Sequence, residues 1–474
     1  MCRLLSATEE TREEPSISMS PQTVHIGAGA GFAGDRAGSA VAVVDALAAS
    51  GAPSFLIFET LAERTLALAQ LDRQREAEAG YSPSMLALVE PVLAKCLTSG
   101  IRIVSNFGAA NPHGAAKRLA ALAADLGFSA VKIAVVGGDD LTGRLSAADL
   151  AARETERTLL SAGSRIISAN AYLGARPIAE ALDRGADIVV TGRVADPALA
   201  LGPLVHAFGW DWNDWSRIAA GTLVGHLLEC GPQVSGGYFA DPGYKDVPDL
   251  ADLGYPIAEV ARDGRAIITK PAGTGGCVDL RTVKEQLLYE IHDPAAYLTP
   301  DVVLDITGVE LVQAGPDRVA VSGAIGHPRP DSLKATVCIE SGFLAEAEIS
   351  YAGPNAAARA RLAVRIVCER MARRHPGLPI RADVIGLCSV FGDSTGAMLA
   401  RAFEADGSDD LRVRFATRSP DRRAAECLLA EVEALYVAGP AGGGGIRRHL
   451  LPQLASASCL IEREHVQETV EVMP

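Results

Sequence analysis

Short apolar runs alternate with amphipathic stretches over the first two hundred residues of the chain. The apolar runs, mostly β-branched and hydrophobic on both faces, lie at residues 23–26, 54–58, 101–104, 131–136, 165–168 and 187–190. Helical periodicity occurs between them, at residues 37–49, 84–97, 114–126, 147–162 and 177–184. Strands that are covered by helices on both sides have this pattern. The alternation therefore predicts an α/β fold, with a parallel sheet of βα units and helices on both faces.

The pattern changes after residue 210. Residues 231–256 are rich in Gly, Pro, Asp and Tyr, which favours ordered loops of a length typical of substrate lids or interfaces. Antiparallel strands are predicted at 301–312, 318–322, 334–339 and 345–350, and further strands at 382–388 and 412–417. Helices are predicted at 283–291, 355–374 and 422–437. We therefore expect a flexible N-terminal tail (1–22), an α/β domain that carries the site (23–298) and a smaller α+β domain (299–474).

The charge, the cysteine spacing and the apolar runs of the chain exclude several classes of function. The chain has 474 residues, is 48% hydrophobic and carries a formal net charge of −14, without a long basic run, so no nucleic-acid partner is expected. Its nine cysteines are dispersed without a Cys-x-x-Cys pair, which favours a reducing cytoplasmic location over a disulfide framework. Residues 1–20 lack the apolar centre of a secretion signal, and no apolar run approaches the roughly 20 residues of a membrane span. We expect no membrane partner.

Polar residues follow several of the predicted strands. Because parallel strands end at one edge of a sheet, these side chains are expected to converge there. The candidates at this edge are Asn106, Asn111, Asp140, Asn170, Arg193 and Asp196. The amides can donate to a carbonyl, and Arg193 is suited to holding a carboxylate or phosphate. Of the neighbouring acids Asp139 and Asp140, one is expected to cap the next helix and the other to be free for a ligand.

A first glycine-rich stretch, residues 27–35, follows the first predicted strand. Gly29 and Gly31 belong to a G-x-G-x-x-G pattern, and Glu59 ends the second strand about 25 residues further on, where a ribose-binding acid would lie in a dinucleotide site. Asp35 would place a negative charge where a pyrophosphate should sit. The stretch could bind a nicotinamide cofactor, bind another anion through backbone amides, or form only a tight turn.

A second glycine-rich stretch, residues 270–276, follows a predicted strand at 266–269. Lys270, Thr274 and Gly275 could clamp a phosphate or contribute to an oxyanion hole. A loop that merely needs positive φ angles explains the same glycines. We consider the three residues as candidate substrate-binding groups.

His226, Glu229 and Cys230 lie three and four residues apart in a predicted helix, so their side chains share one face. Such a face could act in acid–base or nucleophilic catalysis, or could be a hydrogen-bonded packing feature. Zinc would require a further ligand from elsewhere, and no metal is assigned.

Polar and glycine-containing segments follow one another in a characteristic order along the chain. They occupy residues 106–112, 138–140, 170–174, 185–196, 225–230, 254–257, 270–276, 285–290, 297–302 and 439–443. Together these segments resemble the acyclic terpene utilization (AtuA-like) family from about residue 24 to 448. That family is named for gene clusters that degrade citronellol- and geraniol-type acids through CoA thioesters. The chain departs from it at Ala33, where a bulky residue is expected, and at Phe107, where a small one is expected.

The residues and the resemblance together imply a catabolic enzyme that acts on a branched or terpene-like carboxylate or its CoA thioester, with lyase or hydratase chemistry expected first. Proton carriers are expected among Asp140, His226, Glu229 and Cys230. Arg193 would help to hold the anionic end. CoA would then be part of the substrate, and no separate cofactor is assigned firmly.

Two other functions fit the same sequence. One is an NAD-dependent oxidoreductase that uses residues 27–34 and Glu59. The other is a non-catalytic subunit of an acyl-CoA-processing complex. In each case we expect a homo-oligomer.

Overall fold

The computed structural model describes residues 22–155, 158–404 and 409–473. The predicted tail, residues 1–22, lies outside the described residues except for Gln22. The described chain forms two compact units. The first contains residues 22–144, 169–336 and 459–473, and the second contains residues 145–155, 158–168, 337–404 and 409–458. Each unit therefore draws residues from both sides of the predicted boundary at 298/299.

Strands and short groups of helices alternate up to residue 229, whereas six strands follow one another between residues 297 and 352. The strands are β1 (Thr23–Gly31), β2 (Ser54–Glu59), β3 (Arg102–Ser105), β4 (Ile133–Gly137), β5 (Ile166–Ala171), β6 (Ile188–Thr191), β7 (Ile257–Ala261), β8 (Ala266–Thr269), β9 (Tyr297–Leu298), β10 (Val303–Asp305), β11 (Glu310–Gly315), β12 (Arg318–Ser322), β13 (Ile325–His327), β14 (Ser332–Ala352), β15 (Arg381–Ile385), β16 (Asp410–Ser419), β17 (Gly444–Glu462) and β18 (Thr469–Met473). The helices are α1 (Val41–Ser50), α2 (Glu63–Arg75), α3 (Met85–Ser99), α4 (Pro112–Asp125), α5 (Ala147–Ala151), α6 (Arg176–Asp183), α7 (Ala198–Phe208), α8 (Trp215–Glu229), α9 (Leu280–Leu288), α10 (Ala356–Arg374), α11 (Ala397–Ala402), α12 (Arg422–Glu433) and α13 (Leu435–Ala438).

The first unit is organised around one large sheet, with the strand order β11-β12-β8-β7-β1-β2-β3-β6-β4-β18. Strands β1, β2, β3, β6 and β4 are parallel, whereas β7 and β18 pair antiparallel with the two outer members of this group. The predicted α/β class is confirmed. The sheet is mixed rather than wholly parallel.

Successive side chains of the central strands enter opposite cores. On β2, Phe55 and Ile57 pack into a cluster with α6, α7 and α8, while Leu56 and Phe58 pack into one with α1, α3 and α4. Burial of each such side chain contributes about 1.5–3 kcal/mol. Helices therefore cover both faces of the sheet, as the apolar runs predict.

One predicted strand does not join this sheet. The run at 165–168 begins β5, which lies outside the main sheet. Strand β6 occupies the position between β3 and β4, and β18 occupies the other edge of β4, so the parallel group has no vacant edge for β5 there. The predicted helix at 147–162 is also shorter, since α5 ends at Ala151; residues 156–157 lie outside the described ranges.

The first glycine-rich stretch, residues 27–35, is not a single loop: residues 27–31 belong to a strand, and only residues 32–35 form a turn. Strand β1 continues through Gly31, and α1 begins only at Val41. A Cβ on Gly27 would lie 2.4 Å from Val43 Cγ1, and one on Gly29 would lie 2.5 Å from Phe58 Cε1. The glycines thus permit close packing of α1 and β2 on β1. Six residues separate Gly34, the last glycine of the G-x-G-x-x-G pattern, from the start of α1 at Val41, so these glycines do not lead directly into a helix as the dinucleotide fingerprint requires.

The second unit has its own antiparallel sheet, with the order β15-β16-β14-β17. Strand β14 joins the two strands predicted at 334–339 and 345–350 into one. Tyr351, Phe415 and Val367 lie in the core between this sheet and α10 and α12. Among the described residues of the chain, no helix has the length and apolar character needed to cross a membrane.

Candidate functional site

A cavity of about 550 Å³ in the first unit lies where β2 and β6 end, and it is enclosed partly by residues of α8 and of the segment 231–238. Its wall contains the acids Asp35, Glu59, Glu63, Asp196, Glu229 and Glu290. It also contains the basic residues Arg193, His226 and Lys334, and the aromatic residues Phe32, Tyr172, Tyr238, Tyr289 and Tyr297. We call this space the acid–base cavity.

The acid–base cavity brings together some of the sequence candidates. Those in its wall are Gly31, Arg193, Asp196, His226, Glu229 and Cys230. The remaining candidates make their principal contacts elsewhere, and these are described below.

His226 and Glu229 lie in the last turn of α8, whose first turn is capped by Asp214. Their three-residue spacing places both side chains on one face, and His226 Nδ1 is 2.9 Å from Glu229 Oε1. His226 Nε2 lies 3.2 Å from the carbonyl oxygen of Leu287, which can only accept, so Nε2 carries a hydrogen. A single proton between Nδ1 and Oε1 is therefore shared by the imidazole and the carboxyl group.

The burial of this pair changes its titration. Burial raises the pKa of Glu229 to about 6, although the neighbouring His226 opposes this shift. For His226, burial acts to lower the pKa, but the Glu229 carboxylate and the backbone carbonyl of Leu287 outweigh it, and the pKa is raised. Glu229 Oε2 is buried and has no hydrogen-bond partner in the described structure. One oxygen of the pair thus has unused hydrogen-bonding capacity, and Glu229 belongs to the wall of the cavity.

Cys230 does not form a reactive pair with His226. Both ring nitrogens of the histidine are occupied, by Glu229 and by Leu287. Burial, together with the charge of Glu229, raises the pKa of the Cys230 thiol, which keeps it protonated at neutral pH. Within the described ranges, no group of three or more His, Cys, Asp or Glu residues could hold a metal ion.

Arg193 is buried and holds the cavity wall in place. Its guanidinium donates to the carbonyls of Leu61 and Val194 and forms an ion pair with Asp196. The ring of Tyr172 lies 4.6 Å from the guanidinium carbon. These contacts use the guanidinium within the protein, so Arg193 is a positioning residue here and not the predicted free anion clamp.

Buried polar side chains hold the backbone of Arg193 in place. Asp139 Oδ2 accepts from the backbone N–H of Arg193 at 2.9 Å and from Asn170 Nδ2 at 2.8 Å. Burial raises the pKa of Asp139 to about 6. Asp140 Oδ1 accepts the backbone N–H of Thr142 at 2.8 Å. Asp140 and Asn170 therefore fix the strand ends, and neither lines the cavity.

Glu59, the last residue of β2, is the acid that Asn106 positions. Its Oε1 accepts from Asn106 Nδ2 at 2.9 Å and from the backbone N–H of Leu61 at 2.7 Å. Asn106 Oδ1 in turn accepts the backbone N–H of Thr60 at 2.8 Å. Burial, with a further contribution from the charge of Asp196, raises the pKa of Glu59 to about 8. At neutral pH this carboxyl group is mainly protonated, which the sequence interpretation of Glu59 as a ribose-binding carboxylate did not anticipate.

Sequence analysis missed a second cluster in the wall. Tyr172 donates its hydroxyl hydrogen to Glu63 Oε1 at 2.7 Å, and Lys334 Nζ lies 3.6 Å from the same oxygen. Burial acts to raise the pKa of Glu63, but the Tyr172 hydrogen bond and the Lys334 charge outweigh it, so the pKa is lowered and the group is ionised. Tyr172 follows a strand and was visible in the pattern. Glu63 is the first residue of α2, and Lys334 lies near the start of β14. No sequence motif around either residue indicates a functional site.

The second glycine-rich stretch lies away from this cavity. Lys270 Nζ donates to the carbonyl of Thr274 at 2.7 Å and lies 3.3 Å from Asp317 Oδ2. The Thr274 hydroxyl donates to the carbonyl of Pro271, and Gly275 N–H donates to the carbonyl of Asp252. The polar groups of this stretch are therefore bonded within the stretch itself or to Asp252 and Asp317.

Two further candidates have local structural roles. Asn111 caps α4, because its Oδ1 accepts the N–H of Gly114 at 2.9 Å. Gly29 lies within β1 against Phe58, as described above. Neither residue lines the acid–base cavity.

Comparison with protein families identifies the chain over nearly its whole length. The model of the family described as "Acyclic terpene utilisation family protein AtuA" matches residues 24–472. A search of curated proteins found no significant match. The chain therefore belongs to the acyclic terpene utilisation family AtuA.

Proposed function

We propose that this protein is a lyase or hydratase that acts on the CoA thioester of a branched, terpene-like acid, with proton transfer in the acid–base cavity. Membership of the family implies a catabolic role in acyclic terpene utilisation. The observation that carries the proposal is the buried, unpartnered Oε2 of Glu229, whose other oxygen is held by His226. A buried carboxylate oxygen without a partner is costly, and a substrate hydrogen or water would satisfy it.

Glu229 supplies the base. With a pKa of about 6, it is present in both protonation states near neutral pH, which suits proton transfer in either direction. In dehydration, Oε2 removes a proton from the carbon next to the thioester carbonyl. That proton is passed to the departing β-hydroxyl group, so water leaves and a carbon–carbon double bond forms. Hydration follows the same steps in reverse.

Glu59 supplies the stabilising donor. Its carboxyl group keeps its proton up to a pKa of about 8 and can donate to the thioester oxygen, where negative charge develops in the enolate. Asn106 and the Leu61 N–H hold the other oxygen of Glu59 in place. Two carboxyl groups with pKa values on opposite sides of neutrality are an arrangement suited to one base and one acid.

The charge of the wall favours a thioester over a free carboxylate. The acids outnumber the bases among the described lining residues, and Arg193 is already paired with Asp196. A free carboxylate at the reacting end would be repelled by the ionised Glu63. An uncharged thioester carbonyl avoids this repulsion.

The proposal is tested by solvent isotope incorporation. The protein is incubated with 3-methylbut-2-enoyl-CoA in deuterated water, without added cofactor, and deuterium at the carbon next to the carbonyl is measured by mass spectrometry. We expect incorporation with a bell-shaped pH profile whose limbs lie near 6 and 8, because the base must be ionised and the acid protonated. Glu229→Gln should reduce the rate by about 10²–10⁴-fold.

The matched control is Glu90→Gln, which makes the same change at an exposed position of α3. This variant should retain the wild-type rate. No incorporation by the wild-type protein, or equal rates in Glu229→Gln and wild type, would contradict the proposal.

A further inference from the structure

A second cavity, of about 600 Å³, lies beside α2 in the first unit. Its size is within the range of about 300–1,000 Å³ that is typical of small-molecule sites. Ala33, Leu68, Ala69 and Leu86 contribute apolar surface to its wall. We call this space the apolar cavity.

The apolar cavity adjoins the acid–base cavity. Leu61 lines both spaces. Phe32 lines the acid–base cavity, whereas the next residue, Ala33, lines the apolar one. The partition between them is therefore formed by two short segments, residues 32–33 and 60–62. A ligand longer than either space could extend from one to the other beside Leu61.

The charged residues of the apolar cavity indicate whether its ligand is charged or uncharged. Its charged lining residues are Asp72, Arg75 and Glu76, and Arg75 Nη1 lies 3.5 Å from Asp72 Oδ1. This set has an excess of negative charge, so it is unfavourable for the phosphates of CoA. The apolar surface is suited instead to an uncharged hydrocarbon chain.

We infer that the apolar cavity holds the hydrocarbon tail of the substrate whose reacting end occupies the acid–base cavity. This inference rests on the function proposed above, because it assumes a thioester with an extended acyl chain. According to this inference, the acyl chain passes from the acid–base cavity to the apolar cavity beside Leu61. The length of the chain, not only its head group, then determines affinity.

The test is a chain-length series measured by calorimetry. Saturated unbranched acyl-CoA thioesters of four, eight and twelve carbons are titrated into the wild-type protein; they lack the double bond and hydroxyl group that the proposed reaction requires. We expect affinity to rise by up to about fourfold for each added methylene group until the apolar cavity is filled. Equal affinity for the four- and eight-carbon thioesters would overturn the inference without any variant.

Ala33→Trp provides the second measurement, because a large side chain at this position fills part of the apolar cavity. We expect the variant to bind the four-carbon thioester as the wild type does and to bind the twelve-carbon thioester at least tenfold more weakly. Ala124→Trp, the same change at an exposed position of α4, is the control and should keep the wild-type series. An unchanged slope in Ala33→Trp would contradict the inference.

The binding series and the isotope experiment fail independently. Chain-length-dependent binding without deuterium incorporation would retain the tail site and overturn the proposed chemistry. Deuterium incorporation together with equal affinities for all chain lengths would retain the proposed chemistry and overturn the tail site.

Discussion

Replacement of Glu59 by glutamine should stabilise the first unit, and by more as the pH rises. The pKa of Glu59 is raised from 4.5 to about 8 in the folded protein, chiefly by burial. Below pH 4.5 both the folded and the unfolded states are protonated, so the carboxyl group costs nothing. Between pH 4.5 and 8 the unfolded chain releases the proton while the folded chain retains it, which progressively favours unfolding. Above pH 8 the cost is constant.

The magnitude follows from the difference in pKa. One pKa unit corresponds to about 1.36 kcal/mol, so the cost at pH 7 is about 3 kcal/mol and that at pH 5 is below about 1 kcal/mol. The side-chain amide that Glu59→Gln introduces does not titrate, and its oxygen can still accept from Asn106 and from the Leu61 N–H. The substitution therefore removes the titration while it keeps these hydrogen bonds.

The assay is urea unfolding at pH 5, 6, 7 and 8, followed by tryptophan fluorescence. The three tryptophans of the chain, Trp210, Trp212 and Trp215, all lie in the first unit, so the signal reports on the unit that contains Glu59. Glu90→Gln, which makes the same change at an exposed position of α3, is the control and should leave the free energy of unfolding close to that of the wild type. The reasoning would be refuted if Glu59→Gln changed the free energy of unfolding equally at pH 5 and pH 8, or lowered it throughout.

Two further substitutions test the cavity wall by the same fluorescence measurement. Arg193→Met should lower the free energy of unfolding by about 3–5 kcal/mol, because it removes the guanidinium contacts and leaves the buried Asp196 without its ionic partner; a loss below about 1 kcal/mol would contradict the positioning role. Gly31→Ala should cost about 1–3 kcal/mol, since its Cβ would lie 2.2 Å from the carbonyl carbon of Cys230. The control is Gly315→Ala in the same unit, whose Cβ would have Arg318 Cδ as its nearest neighbour at 3.9 Å; equal effects at the two positions would contradict the close approach.

Elements with a strong local pattern could be predicted from the sequence. The apolar run at 54–58 lies in β2, and the helical periodicity at 114–126 lies in α4. Both elements could be predicted because the spacing of apolar residues along the chain shows which faces are buried. The spacing of His226 and Glu229 likewise indicated a shared helix face, and the structure places them in contact. In each case the determining residues are neighbours along the chain.

Pairings between distant segments could not be predicted. Strand β18 joins the edge of β4 from the far end of the chain, and nothing in its five residues specifies that partner. Glu63, Tyr172 and Lys334 meet in the cavity wall although they are separated by more than 100 residues. The glycines of β1 were misread because close packing and tight turns both favour glycine, and only the neighbours Val43 and Phe58 decide between them.

The stability cost at Glu59 bears on whether the cavity is catalytic. About 3 kcal/mol at neutral pH is a large part of the roughly 5–15 kcal/mol that separates folded from unfolded domains. A glutamine would keep the contacts to Asn106 and Leu61 without this cost, so a role limited to packing gives no physical reason for an ionisable group there. A hydrogen-bond donor to a developing enolate does give one, because a carboxylic acid O–H is a stronger hydrogen-bond donor than the N–H of an amide. The same reasoning applies to Glu229, whose second oxygen is buried without a partner. Two costly carboxyl groups in one cavity therefore favour proton-transfer chemistry over a non-catalytic scaffold.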